Sequence, residues 1–183
     1  MIIMVGIPGS GKSAFAERFA DTFKAPILNR TKLQKDLQLD SEQVDSLAEV
    51  ILKEFMKTKK TILLEGGLDN KKYRADLMKY FIKQGYRPLV VWVQTDTSEA
   101  RRRALKSYPV GSGISDDEFE TTVEDFDAPE PAEKAVVVSG KHTYATQLKS
   151  VLKQIALNSR APQNPNTPPS APQQPRGRGV TIR

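Results

Sequence analysis

No cysteine occurs anywhere in the sequence, which excludes a disulfide framework, a thiolate metal site and a cysteine nucleophile. Histidine and tryptophan occur once each, as His142 and Trp92. A lone histidine in the turn before the last expected helix has no partner to orient it, so a capping or surface role is expected. No apolar run approaches the roughly 20 residues that cross a bilayer. Met1 to Val5 is a short apolar run without a basic leader, so a secretory signal is not expected and a soluble, cytoplasmic protein is. Acids are missing from Asn158 onward, where Arg160, Arg176, Arg178 and Arg183 supply four of the formal +6 charges. The body is therefore only mildly basic and does not read as a duplex-binding surface.

What is present alternates in character along the chain. Ile2 to Val5, Pro26 to Leu28, Thr61 to Leu64, Leu89 to Val93 and Ala135 to Val138 are short apolar runs of strand type. Between them lie stretches of helical periodicity: Phe15, Phe19 and Phe23 on Lys12 to Phe23; Val44, Leu47, Val50, Ile51 and Phe55 after the cap Asp40-Ser41; Tyr73, Leu77 and Phe81 after Asp69 or Asn70. Asn29 to Leu39 reads as a loop leading into a short helix. A basic helix follows over Ser98 to Ser107, with Asp96 as its cap, then an acidic helix within ISDDEFETTVEDF, and a closing helix over Tyr144 to Leu157. Trp92, inside a strand, is expected in the core. Strands apolar on consecutive positions and alternating with helices specify an α/β fold around a five-stranded parallel sheet. That domain spans residues 1–157. Residues 158–183 hold six of the twelve prolines and almost no large apolar residue, so a disordered tail is expected, whose RGRG segment offers a weak anchor for nucleic acid or another acidic partner.

The stretch GIPGSGKS places Gly6, Gly11, Lys12 and Ser13 in the spacing G-x-x-x-x-G-K-[ST], after a strand and before a helix. The loop Gly6, Pro8, Gly9, Ser10 and Gly11 is the expected phosphate-binding stretch: its backbone N–H groups, of which Pro8 has none, can encircle phosphate oxygens where the glycines leave the approach open. The helix that follows adds its unsatisfied amides and positive end. Lys12 would reach the β- and γ-phosphates and Ser13 would hold Mg²⁺. The chain lacks the Asn-Lys-x-Asp stretch of a guanine site, since Asn70-Lys71-Lys72 is followed by Tyr73, so ATP is expected. Glu65, at the end of TILLE, is the candidate acid for orienting the metal. Arg101, Arg102, Arg103 and Lys106 crowd one helix, and Arg102 or Arg103 with Lys106 can share a face toward a transferring phosphoryl group. Residues Pro109 to Ser112 would supply a hinge for such a lid.

Taken in order, GIPGSGKS, ILNR, ILLEGG, SEARRRALKS and FDAPEPAE resemble the small P-loop kinases of the polynucleotide-kinase and zeta-toxin type, ATP-binding proteins grouped with the AAA family. The resemblance covers residues 1–157. It implies a three-layer P-loop NTPase fold with strand order 2-3-1-4-5, ATP with Mg²⁺, and γ-phosphoryl transfer to a hydroxyl. It also implies a lid onto which Arg102, Arg103 and Lys106 map. In polynucleotide kinases the stretch after the second strand reads Arg-Asp-Asp-x-Arg, its first aspartate acting as base and its later arginine holding the acceptor. Here the stretch is Arg30-Thr31-Lys32-Leu33-Gln34. Arg30 matches and becomes the candidate acceptor-binding residue, but Thr31 stands where the base belongs and Gln34 replaces the arginine. Threonine is no carboxylate base near neutral pH, and Asp36, about one turn on, is the candidate substitute. Two functions follow: a kinase acting on a hydroxyl of a small molecule, nucleotide or nucleic-acid end, or an ATP-binding switch or weak ATPase that regulates a partner.

Overall fold

In a computed structural model the described residues are 1–106 and 113–160. The expected hinge at Pro109 to Ser112 and the proline-rich segment from residue 161 onward lie outside them. Strand β1 (Ile2–Val5) is buried at every position, as befits the centre of a sheet covered on both faces. It is joined by β2 (Ile27–Asn29), β3 (Leu63–Glu65), β4 (Leu89–Gln94) and β5 (Val136–Ser139). All pairings are parallel and the order is β2-β3-β1-β4-β5, as the resemblance implied.

Alternate residues of the strands feed two cores. Ile2, Met4, Leu63, Val91 and Val93 meet Phe15 and Phe19 of α1 (Lys12–Phe23) and Val151 of α7 (Tyr144–Arg160). On the other face Ile3, Val5, Leu28, Leu64 and Val90 meet Met56 of α3 (Ser41–Lys57) and Phe81 of α4 (Lys71–Lys83). Burying a side chain of this size contributes roughly 1.5–3 kcal/mol. The outer strands are less covered. Trp92 is half-buried rather than in the core, because it pairs with Val137 of the edge strand on the face away from α1 and α7, where Val137 is 50% exposed.

Caps fix where the helices begin. Asp40 and Gln43 form a reciprocal capping box on α3, and Asp96 caps α5 (Thr97–Leu105). Asn29 caps α2 (Arg30–Leu37) by accepting from the Lys32 amide at 2.9 Å. The helix therefore follows β2 without the expected loop; its sequence RTKLQKDL has too few apolar residues to show a stripe. Asn70, not Asp69, caps α4. Ser115 caps α6 (Asp116–Glu124), and a 3-10 turn at Pro131–Glu133 leads into β5. The last helix runs three residues past Leu157.

Arg74, on α4, is a charged residue with a fully buried side chain. It donates to both carboxylate oxygens of Glu133 at 2.8 and 2.9 Å, and its Nη1 donates to the Leu68 and Asp69 carbonyls at 2.9 Å each. The guanidinium thereby clamps the β3–α4 loop to the turn before β5. Burial pushes the Glu133 carboxyl up, but the Arg74 hydrogen bonds and the Glu130 amide hold it below the usual range. Arg74→Met leaves Glu133 uncompensated, and urea unfolding should show a loss of about 3–5 kcal/mol near neutral pH. Because the Glu133 value is depressed, the carboxylate's share is intact above the ordinary 4.5 and fades as pH falls through the lowered value.

Candidate active site

The phosphate loop joins β1 to α1 and is wedged against α5. Gly9 has φ +73°, and a Cβ there would lie 2.0 Å from the Ala100 carbonyl oxygen. Only glycine permits both that conformation and that approach. From behind, the Ser10 carbonyl accepts from Thr95 Oγ1 at 2.9 Å. Helix α1 opens at Gly11 with no side-chain cap, so its first amides remain available for an anion. The Ser10 hydroxyl is fully buried and has no hydrogen-bond partner among the described residues. Lys12 folds over the loop and donates to the Gly6 and Ile7 carbonyls at 2.5 and 2.9 Å. Burial lowers its pKa, opposed by the Glu65 and Asp69 carboxylates.

Glu65 is the last residue of β3, inside the strand rather than after it, and only 6% exposed. Ser13 Oγ donates to its Oε1 at 2.5 Å. Burial raises the Glu65 pKa; hydrogen bonds from Ser13 and Asn29 and the Lys12 charge pull it down, while Glu17 adds to the rise. A buried carboxylate bonded to a serine of the first turn of α1 fits Mg²⁺, which takes one or two protein ligands and completes its shell with phosphate and water. Among the described residues there is no group of three or more His, Cys, Asp or Glu side chains that could hold a metal ion.

Behind Glu65 the chain turns at Gly66, φ +84°, where a Cβ would lie 2.5 Å from Thr31 Oγ1. The first turn of α2 thus rests on the glycine, and a hydroxyl occupies the place where the resemblance expects a carboxylate. Arg30 turns toward α3: its Nε donates to Asp45 at 2.5 Å, with longer contacts to Gln34 and the Ser41 carbonyl. Asp36 is exposed on α2 and lines, with Glu17 and Glu65, a hollow of about 340 Å³.

The basic helix sorts its cations. Arg101 pairs with Asp116 and Glu120 of α6. Arg102 and Arg103 both donate to Glu99, whose carboxyl is pulled down to about 2. Arg103 also reaches the Gly140 carbonyl at 3.2 Å, and Gly140 abuts the Ser10 carbonyl. Of the three lid candidates, Arg103 therefore stands beside the phosphate loop, while Arg102 and Lys106 are exposed. His142 is exposed too, its amide bonded to the Ser139 carbonyl.

Sequence reasoning did not place Asn29, Thr95 or Gly140 at the site, and named Asp69 only as an alternative cap for α4. Asp69 carries a signal in retrospect: with Asn70 as the cap, its carboxylate is spared for other work. It is half-buried and its pKa is raised by burial, against the pull of Lys12 and Arg74.

The raised Glu65 value gives a pH prediction for the metal-free protein. The folded state holds this proton more tightly than the unfolded chain, so Glu65 erodes stability as pH rises above the ordinary 4.5 toward its raised value. Paired thermal melts should show Glu65→Gln losing less stability than the parent over that rise. In the same assay Mg²⁺ with ATP should stabilise the variant far less than the parent.

The profile of the AAA domain matches residues 1–129. No curated protein sequence matches the chain. Among solved structures, a gluconokinase from Sinorhizobium meliloti 1021 superposes with a TM-score of 0.64 at 17% identity, covering 85% of this chain and 91% of that one. Kti12 from Chaetomium thermophilum, solved with ADP-AlF3, gives 0.67 at 15% identity, covering 85% and 97%. Shikimate kinase from Aquifex aeolicus gives 0.50 at 20%, covering 87% and 98%. With its loop, sheet order and neighbours of P-loop kinase fold in agreement, the chain belongs to the AAA-domain family.

Proposed function

We propose that the protein is a kinase that transfers the γ-phosphoryl group of ATP, in the presence of Mg²⁺, to a hydroxyl of a small acceptor. The observation that carries this reading is the Ser13–Glu65 contact of 2.5 Å at the foot of the phosphate loop, beside the Lys12 ammonium. The kinase neighbours and the ADP-AlF3 held by Kti12 support it.

The loop amides from Gly6 to Gly11 would cradle the phosphates. Lys12 would exchange its two carbonyl partners for β- and γ-phosphate oxygens, a better match for an ammonium. Ser13 and Glu65 would hold Mg²⁺, which when bound neutralises charge on the transferring group. Arg103, beside the loop, would meet equatorial oxygens, with Arg102 and Lys106 as the outer cations. Arg30 is the acceptor-side residue. Thr31 removes the family's base, leaving Asp36, Asp69 and water as proton acceptors. Transfer depends chiefly on alignment and charge, so the reaction survives that loss.

The same threonine favours a second reading, a weak ATPase or ATP-binding switch without an acceptor. Incubation with γ-labelled ATP and hydroxyl compounds separates the two: label on an acceptor marks a kinase, inorganic phosphate alone a hydrolase. Lys12→Ala should reduce either activity by roughly 100-fold or more with an unchanged circular dichroism spectrum. Full activity in that variant would refute the assigned chemistry.

A further inference from the structure

Beside Glu65 opens a slot of about 370 Å³ between α3 and α4. Its inner end is Glu65 and Gly66, next to the phosphate loop, so a molecule in the slot offers its leading group to the site of phosphoryl transfer. The floor and walls are hydrocarbon: Leu28, Leu52, Leu64, Leu68 and Leu77. Tyr73 and Tyr80, one turn-pair apart on α4, present their rings at the opening and are well exposed for aromatic residues. The mouth carries two cations, and each is already matched. Arg30 is paired with Asp45 at 2.5 Å and Lys53 with Glu49 at 2.6 Å.

These features act together on the choice of acceptor. An acceptor with its own phosphate or carboxylate would meet Asp45 and Glu49 as well as the cations, with no surplus positive charge to receive it. A sugar polyol would turn hydroxyls toward leucine side chains that can neither donate nor accept, leaving them unpaired. A flat ring lying between the tyrosines and the leucines lays its apolar faces on both and gains aromatic contact, while polar groups on its edge can turn to the paired charges of Arg30, Asp45, Glu49 and Lys53.

Resting on the kinase reading above, we propose that the acceptor is an uncharged alcohol carrying an aromatic ring, of nucleoside type, rather than a sugar acid, a nucleotide or a nucleic-acid end. The ring fills the slot and the hydroxyl projects toward Glu65. In the reaction its oxygen bonds to the γ-phosphorus and the bond from that phosphorus to the β–γ bridging oxygen breaks. ADP leaves with the bridging oxygen, and the hydroxyl proton is released to solvent.

The test supplies the full chain with Mg²⁺, γ-labelled ATP and, separately, the four ribonucleosides, gluconate, shikimate, nucleoside monophosphates and a 5′-hydroxyl oligonucleotide. Label is expected on a nucleoside, at a kcat/KM at least tenfold above every charged or polyol candidate. Tyr80→Ala, at an exposed position, should raise the nucleoside KM about tenfold while the Kd for MgATP moves less than twofold. Asp45→Asn unmasks Arg30 and should shift preference toward the monophosphates. Preferential labelling of gluconate, shikimate, a monophosphate or the oligonucleotide by the parent protein overturns the proposal. So does ATP hydrolysis with no nucleoside labelled or bound by calorimetry. A protein that binds no triphosphate overturns the kinase reading itself, an outcome that calorimetry with ATP and Mg²⁺ alone identifies.

Discussion

The functional end of this molecule depends on one contact, the Ser13 hydroxyl on the Glu65 carboxylate. It joins the first turn of α1 to the end of β3, two segments 52 residues apart in sequence that meet because β3 lies directly beside β1 in the sheet. Placing a carboxylate so deep is unfavourable. The surroundings offset the cost with a serine, an asparagine amide and an ammonium rather than with a full ion pair. On the proposed kinase reading, this incomplete compensation is what would leave the carboxylate able to take a divalent ion.

The second organising element is the clamp at Arg74. The β3–α4 loop carries two glycines that let α2 sit close, and a loop so bare of side chains has little to hold its own shape. Arg74 supplies that from below by binding the loop's carbonyls. Asp69 therefore has a fixed backbone and half-buried surroundings near Lys12, although no apolar pattern marks it.

The strands and the phosphate loop were legible because their signals are local: consecutive apolar residues, glycine spacing, and Asp40 and Asp96 just ahead of helical periodicity. What escaped was set by tertiary neighbours. Helix α2 has almost no apolar stripe and depends on Asn29 and the seat at Gly66. Arg74 occupies a core position because Glu133, 59 residues away, accepts from it. Trp92 has the residue type and strand setting of a core side chain, but lies beside an edge strand with an uncovered face. Helical spacing left open whether Arg102 or Arg103 shares a face with Lys106; acids within α5 and on α6 divide the run, and of its three arginines it is Arg103 that lies beside the loop.

The fit of Gly9 against the Ala100 carbonyl has a mechanical corollary. With backbone touching backbone and no side chain between them as a cushion, loop and helix behave as one rigid body. Tilting α5 would carry the anion cradle with it, which couples the placement of the arginines to that of the loop amides.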